Sequence, residues 1–153
     1  MSTAERLAAL GLALPPVTAP VAAYVPAVRT GGYVYVSGQV PVADGKLAAT
    51  GKVGAEVTAE DAAGMARTCA LNAVAAAAEA AGGLDRIRRI VKVVGFVASA
   101  PGFSGQPQVI NGASELLIEV FGEDGKHARS AIGVAELPLN APVEVELIAE
   151  VRD

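Results

Sequence analysis

Apolar positions along the chain recur with two periods. Residues 58–81 follow a helical pattern in an alanine-rich run. Thr58, with Asp61 three residues on, marks its start, and Gly82-Gly83 its stop. A second helical stretch is predicted over 108–121, ended by the glycines of 122–125. Strict alternation, or short β-branched runs, predicts strands over 24–29, 33–37, 89–98, 129–137 and 143–151, with a short, weak one within 46–53. Thr30-Gly31-Gly32 joins the first two as a hairpin. Ser2 and Glu5, at capping-box spacing, predict a short N-terminal helix, and the prolines of 15–20 an extended connector.

The order β-β-(β)-α-β-α-β-β, without repeats or further linkers, predicts an α+β domain over 20–153 behind an N-terminal helix and connector at 1–19. Two helices cover one face of a mixed sheet, yet the last strands look apolar on both. In 143–151 the odd positions are Val, Val, Leu, Ala and Val, and the even ones are Glu144, Glu146, Ile148 and Glu150. In 129–137 both faces are largely small or apolar. The uncovered face is expected to meet another subunit.

Composition sharpens this. Hydrophobic residues make up 52% of the 153, charged ones only 18%, and mean hydropathy is +0.44. No apolar run approaches the roughly 18–20 residues of a membrane helix, so burial between subunits accounts for the excess. Net charge is −4 and aromatics are 4%, which argues against a nucleic-acid surface. One cysteine, Cys69, and one histidine, His127, exclude a disulfide framework and a Cys- or His-rich metal site. Cys69 reads as a small core residue, and His127, beside Lys126, as a solvated loop residue. No apolar export core follows Met1, so a cytoplasmic location is expected.

Two features remain. Arg129 opens a run of small residues: it is either a strand-end arginine paired with a surface carboxylate, or an anion clamp whose planar fork suits a ligand carboxylate. Glu144 and Glu146 are either the solvated face of a strand or carboxylates able to hold and activate water.

The segment Ala128-Arg-Ser-Ala-Ile-Gly-Val-Ala-Glu-Leu-Pro138, followed by Val143-Glu-Val-Glu-Leu-Ile-Ala149, resembles the C-terminal signature of the RidA/YjgF family. Tyr24-Val25, Gly32-Tyr-Val-Tyr-Val-Ser-Gly-Gln-Val-Pro41 and Val109-Ile-Asn111 resemble its other motifs in order. The resemblance implies a chorismate-mutase-like α+β fold assembled as a homotrimer, with clefts between subunits. It also implies hydrolysis of reactive 2-imino or enamine acids to 2-oxo acids and ammonia, with no metal or cofactor. By position, Arg129 matches the arginine that binds the substrate carboxylate and Glu144 the glutamate that holds the attacking water. Tyr24, Ser37, Gly38 and Asn111 match cleft-lining positions. The sequence departs from the pattern at Ala131, where the family often has Cys and where only backbone can contribute, and at Ser114, where it has an aromatic. The expected partners are a small 2-imino or 2-oxo acid and two further copies of the chain, with no membrane and no specific nucleic acid. Carboxylate binding without turnover, and endoribonuclease activity, are the alternatives.

Overall fold

The computed structural model describes all residues, 1–153. Helix α1 (Thr3–Ala9) closes the predicted capping box: the Ser2 hydroxyl accepts from the Glu5 N–H at 3.1 Å, and the Ser2 N–H donates to the Glu5 carboxylate at 2.8 Å. Leu7 on this helix is buried in the main core.

Strands β1 (Ala27–Thr30) and β2 (Tyr33–Gln39) form the predicted hairpin, with Gly31 in the left-handed region. β1 starts three residues later than the pattern predicts, because Pro26 has no N–H for a ladder. Its carbonyl accepts from the Ser37 N–H instead, at 2.8 Å. The weak strand over 46–53 is corrected to a separate two-residue pairing of β3 (Val42–Ala43) with β4 (Lys46–Leu47). Asp44 and Gly45, both at positive φ, make the tight turn that such a hairpin requires. Val53 makes only isolated bridges, to Val57 and Ser99.

Helix α2 (Ala59–Ala81) has Thr58 as its cap, accepting from the Asp61 N–H at 3.1 Å, and ends on left-handed Gly82. β5 (Ile87–Ala98) follows, then α3 (Gln106–Phe121), β6 (Ala128–Val134) and β7 (Val143–Val151). α3 begins two residues earlier than the pattern predicts, because Pro107 sits in its first turn, where a missing N–H costs nothing. β6 stops at Val134 rather than 137: its one neighbour in the sheet, β5, ends at Ala98, the partner of Val134, so no ladder continues beyond it.

The main sheet has five strands in the order β1-β2-β7-β5-β6, mixed because β6 alone runs parallel to its neighbour, β5. β2 and β5 both run antiparallel to β7 between them, so they are parallel to each other. Helix α2 carries the chain from β2 to β5, and α3 from β5 to β6, two crossovers stepping in the same direction. Right-handed connection, the rule for such crossovers, puts both helices on one face.

That face holds the core: Val34, Ile90, Val93, Val97, Val143, Val145 and Ala149 of the sheet are fully buried beneath α2 and α3. The helices approach closely through small residues. A Cβ on Gly112 of α3 would collide with the Ala63 carbonyl of α2. Gly112→Ala is therefore expected to destabilise the fold by about 1–3 kcal/mol through overpacking, measured as a fall in the denaturant midpoint at unchanged slope. An unshifted midpoint would mean the helix pair yields freely.

The other face is bare. Tyr33, Tyr35 and Ile132 are 42–46% exposed there, among half-buried Val94, Phe96 and Ile148. On β7 buried and half-buried residues alternate without a break, the glutamates and Ile148 being the half-buried set. No helix of the protein is long and apolar enough to cross a membrane.

Candidate functional site

β6 is an edge strand, and its register with β5 pairs Arg129 with Val93, which points beneath the helices. Arg129 therefore leaves the sheet on the helix side, beside α3. Asn111 and Ser114, three residues apart and so on one helix face, meet it there. Arg129 Nη1 donates to Asn111 Oδ1 at 2.7 Å and to Ser114 Oγ at 3.2 Å. Both partners are neutral. The ion pairs of the chain are Lys52–Glu136, Arg67–Glu119, Arg88–Glu150 and Lys126–Glu123, so Arg129 has no carboxylate partner. Its Nε–Nη2 edge makes no bond within the chain, which leaves two parallel N–H donors and a full positive charge for an anion. Ala131 follows on the same side of β6, small enough to leave room beside the guanidinium.

His127 is not the solvated loop residue its sequence context suggests. Its ring is half-buried, with Nδ1 2.6 Å from the Gly125 carbonyl and Nε2 2.9 Å from Ser114 Oγ. Burial lowers its pKa, the Gly125 contact opposes this, and the Arg129 charge lowers it further. One signal was available. His127 and Arg129 are two apart at the start of a strand, and so project to the same side.

Glu144 lies elsewhere. It pairs with Phe96, three residues from the Val93 position and so on the opposite, helix-free face. The β2 ladder is irregular between Val36 and Gln39, and Gly38 in that bulge lies against Glu144. A Cβ on Gly38 would collide with the Glu144 carboxylate. The glycine is there for space, since its φ is not positive. Burial first, and the neighbouring Glu146 second, raise the Glu144 pKa above the usual carboxylate value. Ser37 donates to the Val25 carbonyl at 2.7 Å and ties the exposed Tyr24 segment to β2.

Gly38→Ala is expected to push the Glu144 carboxylate toward solvent and to return its pKa toward normal, which carboxyl NMR titration can follow. An unchanged titration would show that the two side chains accommodate each other.

The candidate residues therefore separate into two groups. Arg129, Asn111 and Ala131 gather at the helix-side edge of β6. Glu144, Gly38, Ser37 and the Tyr24 segment gather around the β2 bulge. One chain does not bring the arginine and the glutamate together. Cys69 belongs to neither group: it is fully buried, with its thiol pKa raised mainly by burial, and it packs against the Val143 carbonyl as a core residue.

The family model described as "YjgF/chorismate mutase-like, putative endoribonuclease" matches residues 4–151. Protein TCP17 of Trypanosoma cruzi is 45% identical over 151 residues, covering 98% of this chain and 94% of its own. The mitochondrial protein mmf1 of Schizosaccharomyces pombe is 33% identical over 129 residues, 82% of this chain and 67% of its own. The crystal structure of Atu1372, a protein of unknown function from Agrobacterium tumefaciens, superposes with a TM-score of 0.90 at 47% identity, covering 97% and 92% of the two chains. That of E. coli TdcF with bound serine superposes at 0.62, with 28% identity over 90% and 94%. With a family model spanning almost the whole chain, and relatives matched over most of its length, this protein belongs to the YjgF/chorismate mutase-like family.

Proposed function

We propose that the protein hydrolyses small reactive 2-imino or enamine acids to 2-oxo acids and ammonia, without a cofactor, in a cleft between subunits. The observation that carries this reading is the Arg129 guanidinium, held in place by neutral acceptors only and presenting a free bidentate edge. An anchor of that kind suits a carboxylate, and serine, the molecule bound to the related TdcF, carries one.

An imine carbon is already electrophilic, so orientation and a held water account for much of the catalysis. Glu144 is suited to hold that water, because partial burial raises its basicity above that of an ordinary carboxylate. Attack of the water on the imine carbon gives a carbinolamine. Proton transfer to its nitrogen and loss of ammonia then leave the 2-oxo acid.

The separation of Arg129 from Glu144 supports the inter-subunit arrangement. A second copy bringing its β2 bulge against the Arg129 edge of the first would complete the site and cover the bare sheet face. We propose the homotrimer, roughly three times 15.3 kDa, as the assembly that does so, and sedimentation at micromolar concentration tests it. A stable monomer there would remove both the cover and the cleft. A cytoplasmic location belongs to the same proposal.

The central assay measures 2-oxo acid and ammonia released from imines that an amino-acid oxidase generates in situ. Acceleration over buffer, unaffected by chelator, is the expected result; no acceleration sinks the hydrolase reading. Carboxylate binding without turnover would then take its place. The family description also names endoribonuclease activity. An acidic chain of net charge −4, with Glu144, Glu146 and Glu150 along its bare face, is poorly suited to a polyphosphate. RNA is expected to survive incubation with the purified protein, and cleavage lost in Arg129→Ala would reverse that ranking.

A further inference from the structure

Ser114 and His127 lie on the Nη1 side of Arg129 and have no part in the hydrolysis just described. Their hydrogen bonds form a line of single polarity. The Gly125 carbonyl can only accept, so His127 Nδ1 carries the hydrogen of that 2.6 Å contact. In the neutral ring Nε2 is then an acceptor, and the Ser114 hydroxyl donates to it at 2.9 Å. This turns the lone pairs of Ser114 Oγ toward Arg129 Nη1, which donates to them at 3.2 Å.

We infer that His127 is a positioning residue for the Arg129 clamp, acting through the Ser114 hydroxyl, and that carboxylate binding at Arg129 is coupled to proton uptake by His127. The inference rests on the reading of Arg129 as a carboxylate anchor. The ring is neutral at pH 7, because burial and the guanidinium both disfavour its charge. A carboxylate on the free edge of Arg129 cancels the guanidinium's share of that penalty, and protonation becomes easier. Protonated Nε2 donates to Ser114 Oγ, and the hydroxyl hydrogen is released from the ring. Linkage is reciprocal, so affinity rises as pH falls through the titration of His127.

Other charges sit on the elements around the ring: Glu115 on α3, Arg89 and Lys92 on β5, and Glu123, Asp124 and Lys126 in the turn before β6. Lys126 is paired with Glu123 at 2.8 Å. Arg129 is the charge that acts on the ring.

His127 is the only histidine in the chain, so its NMR titration is unambiguous. It is recorded over roughly pH 5–8 for wild type, with and without saturating pyruvate, and for ligand-free Arg129→Gln. Both pyruvate and loss of the guanidinium are expected to raise the His127 pKa. Calorimetry of pyruvate in buffers of different ionisation enthalpy is expected to show uptake of a fraction of a proton, with affinity several-fold higher at the acid end. His127→Gln keeps an acceptor for the Ser114 hydroxyl, so it should weaken binding less than His127→Leu while abolishing proton uptake. A His127 pKa indifferent to Arg129→Gln, or proton uptake that persists in His127→Gln, overturns the inference. So does pyruvate binding with no shift at His127. Absence of pyruvate binding in wild type would refute the carboxylate anchor and the linkage with it, whereas binding without linkage refutes the linkage alone.

Discussion

Arg129→Lys is expected to weaken binding of a small 2-oxo acid by about 2–4 kcal/mol, roughly 30- to 1000-fold. An ammonium retains the charge but not the planar fork, so it cannot present two parallel donors to one carboxylate. Nor can it hold Asn111 and Ser114 through one nitrogen, as Nη1 does, while keeping a second edge free for the ligand. The loss falls on ground and transition states alike, so kcat/KM should drop through KM more than through kcat. The variant should stay folded, because Arg129 lies on an edge strand and belongs to no ion pair of the chain. Calorimetry with pyruvate and the coupled imine assay decide it. Unchanged affinity would return Arg129 to a purely structural role at the α3–β6 contact.

Glu144→Gln should behave in the opposite manner. Losing the carboxylate that holds the attacking water is expected to cost about 10²- to 10⁴-fold in kcat, with little effect on pyruvate affinity. Stability should move the other way. The Glu144 pKa is raised in the fold, so its ionised form is the disfavoured one. Its contribution to stability is full below the unfolded carboxyl pKa and is lost as pH rises through the raised, folded value. The glutamine variant escapes that loss, and should be the more stable protein at neutral pH and no more stable in acid. Thermal melts at both ends of that window test this, and a variant that is less stable at neutral pH contradicts it.

A mixing experiment joins the two substitutions. If each cleft takes Arg129 from one copy and Glu144 from another, trimers reassembled from equal amounts of Arg129→Lys and Glu144→Gln chains contain some clefts with both native residues. Random mixing makes these roughly a quarter of the total. Activity well above either parent is expected. No recovery in verified mixed trimers would mean that Arg129 and Glu144 do not act in a shared cleft between copies.

Much of this was legible in the sequence because the evidence for it is local. The Thr58 and Gly82 caps, the Gly31-Gly32 hairpin and the alternation in β7 each depend on residues a few positions apart, whose preferences survive in any tertiary setting. The α+β class followed from element order, and the bare face from counting helices against strand faces. The resemblance singled out Arg129, Glu144, Asn111 and Gly38 by motif position.

Element ends were less legible, because long-range contacts decide them. The Ser37–Pro26 bond delays β1, and the end of β5 at Ala98 leaves β6 without a partner beyond Val134. The environment of each candidate residue was decided only by the tertiary structure. Whether Arg129 meets a carboxylate or the amide of Asn111 depends on how α3 crosses β6, and no spacing along the chain encodes that. The same crossing draws His127 out of solvent. Sheet register, which assigns a side chain to one face or the other at each single step along a strand, puts Arg129 and Glu144 on opposite sides. The parity of one strand can be read from its own sequence, but the pairing between strands forms only when the chain folds.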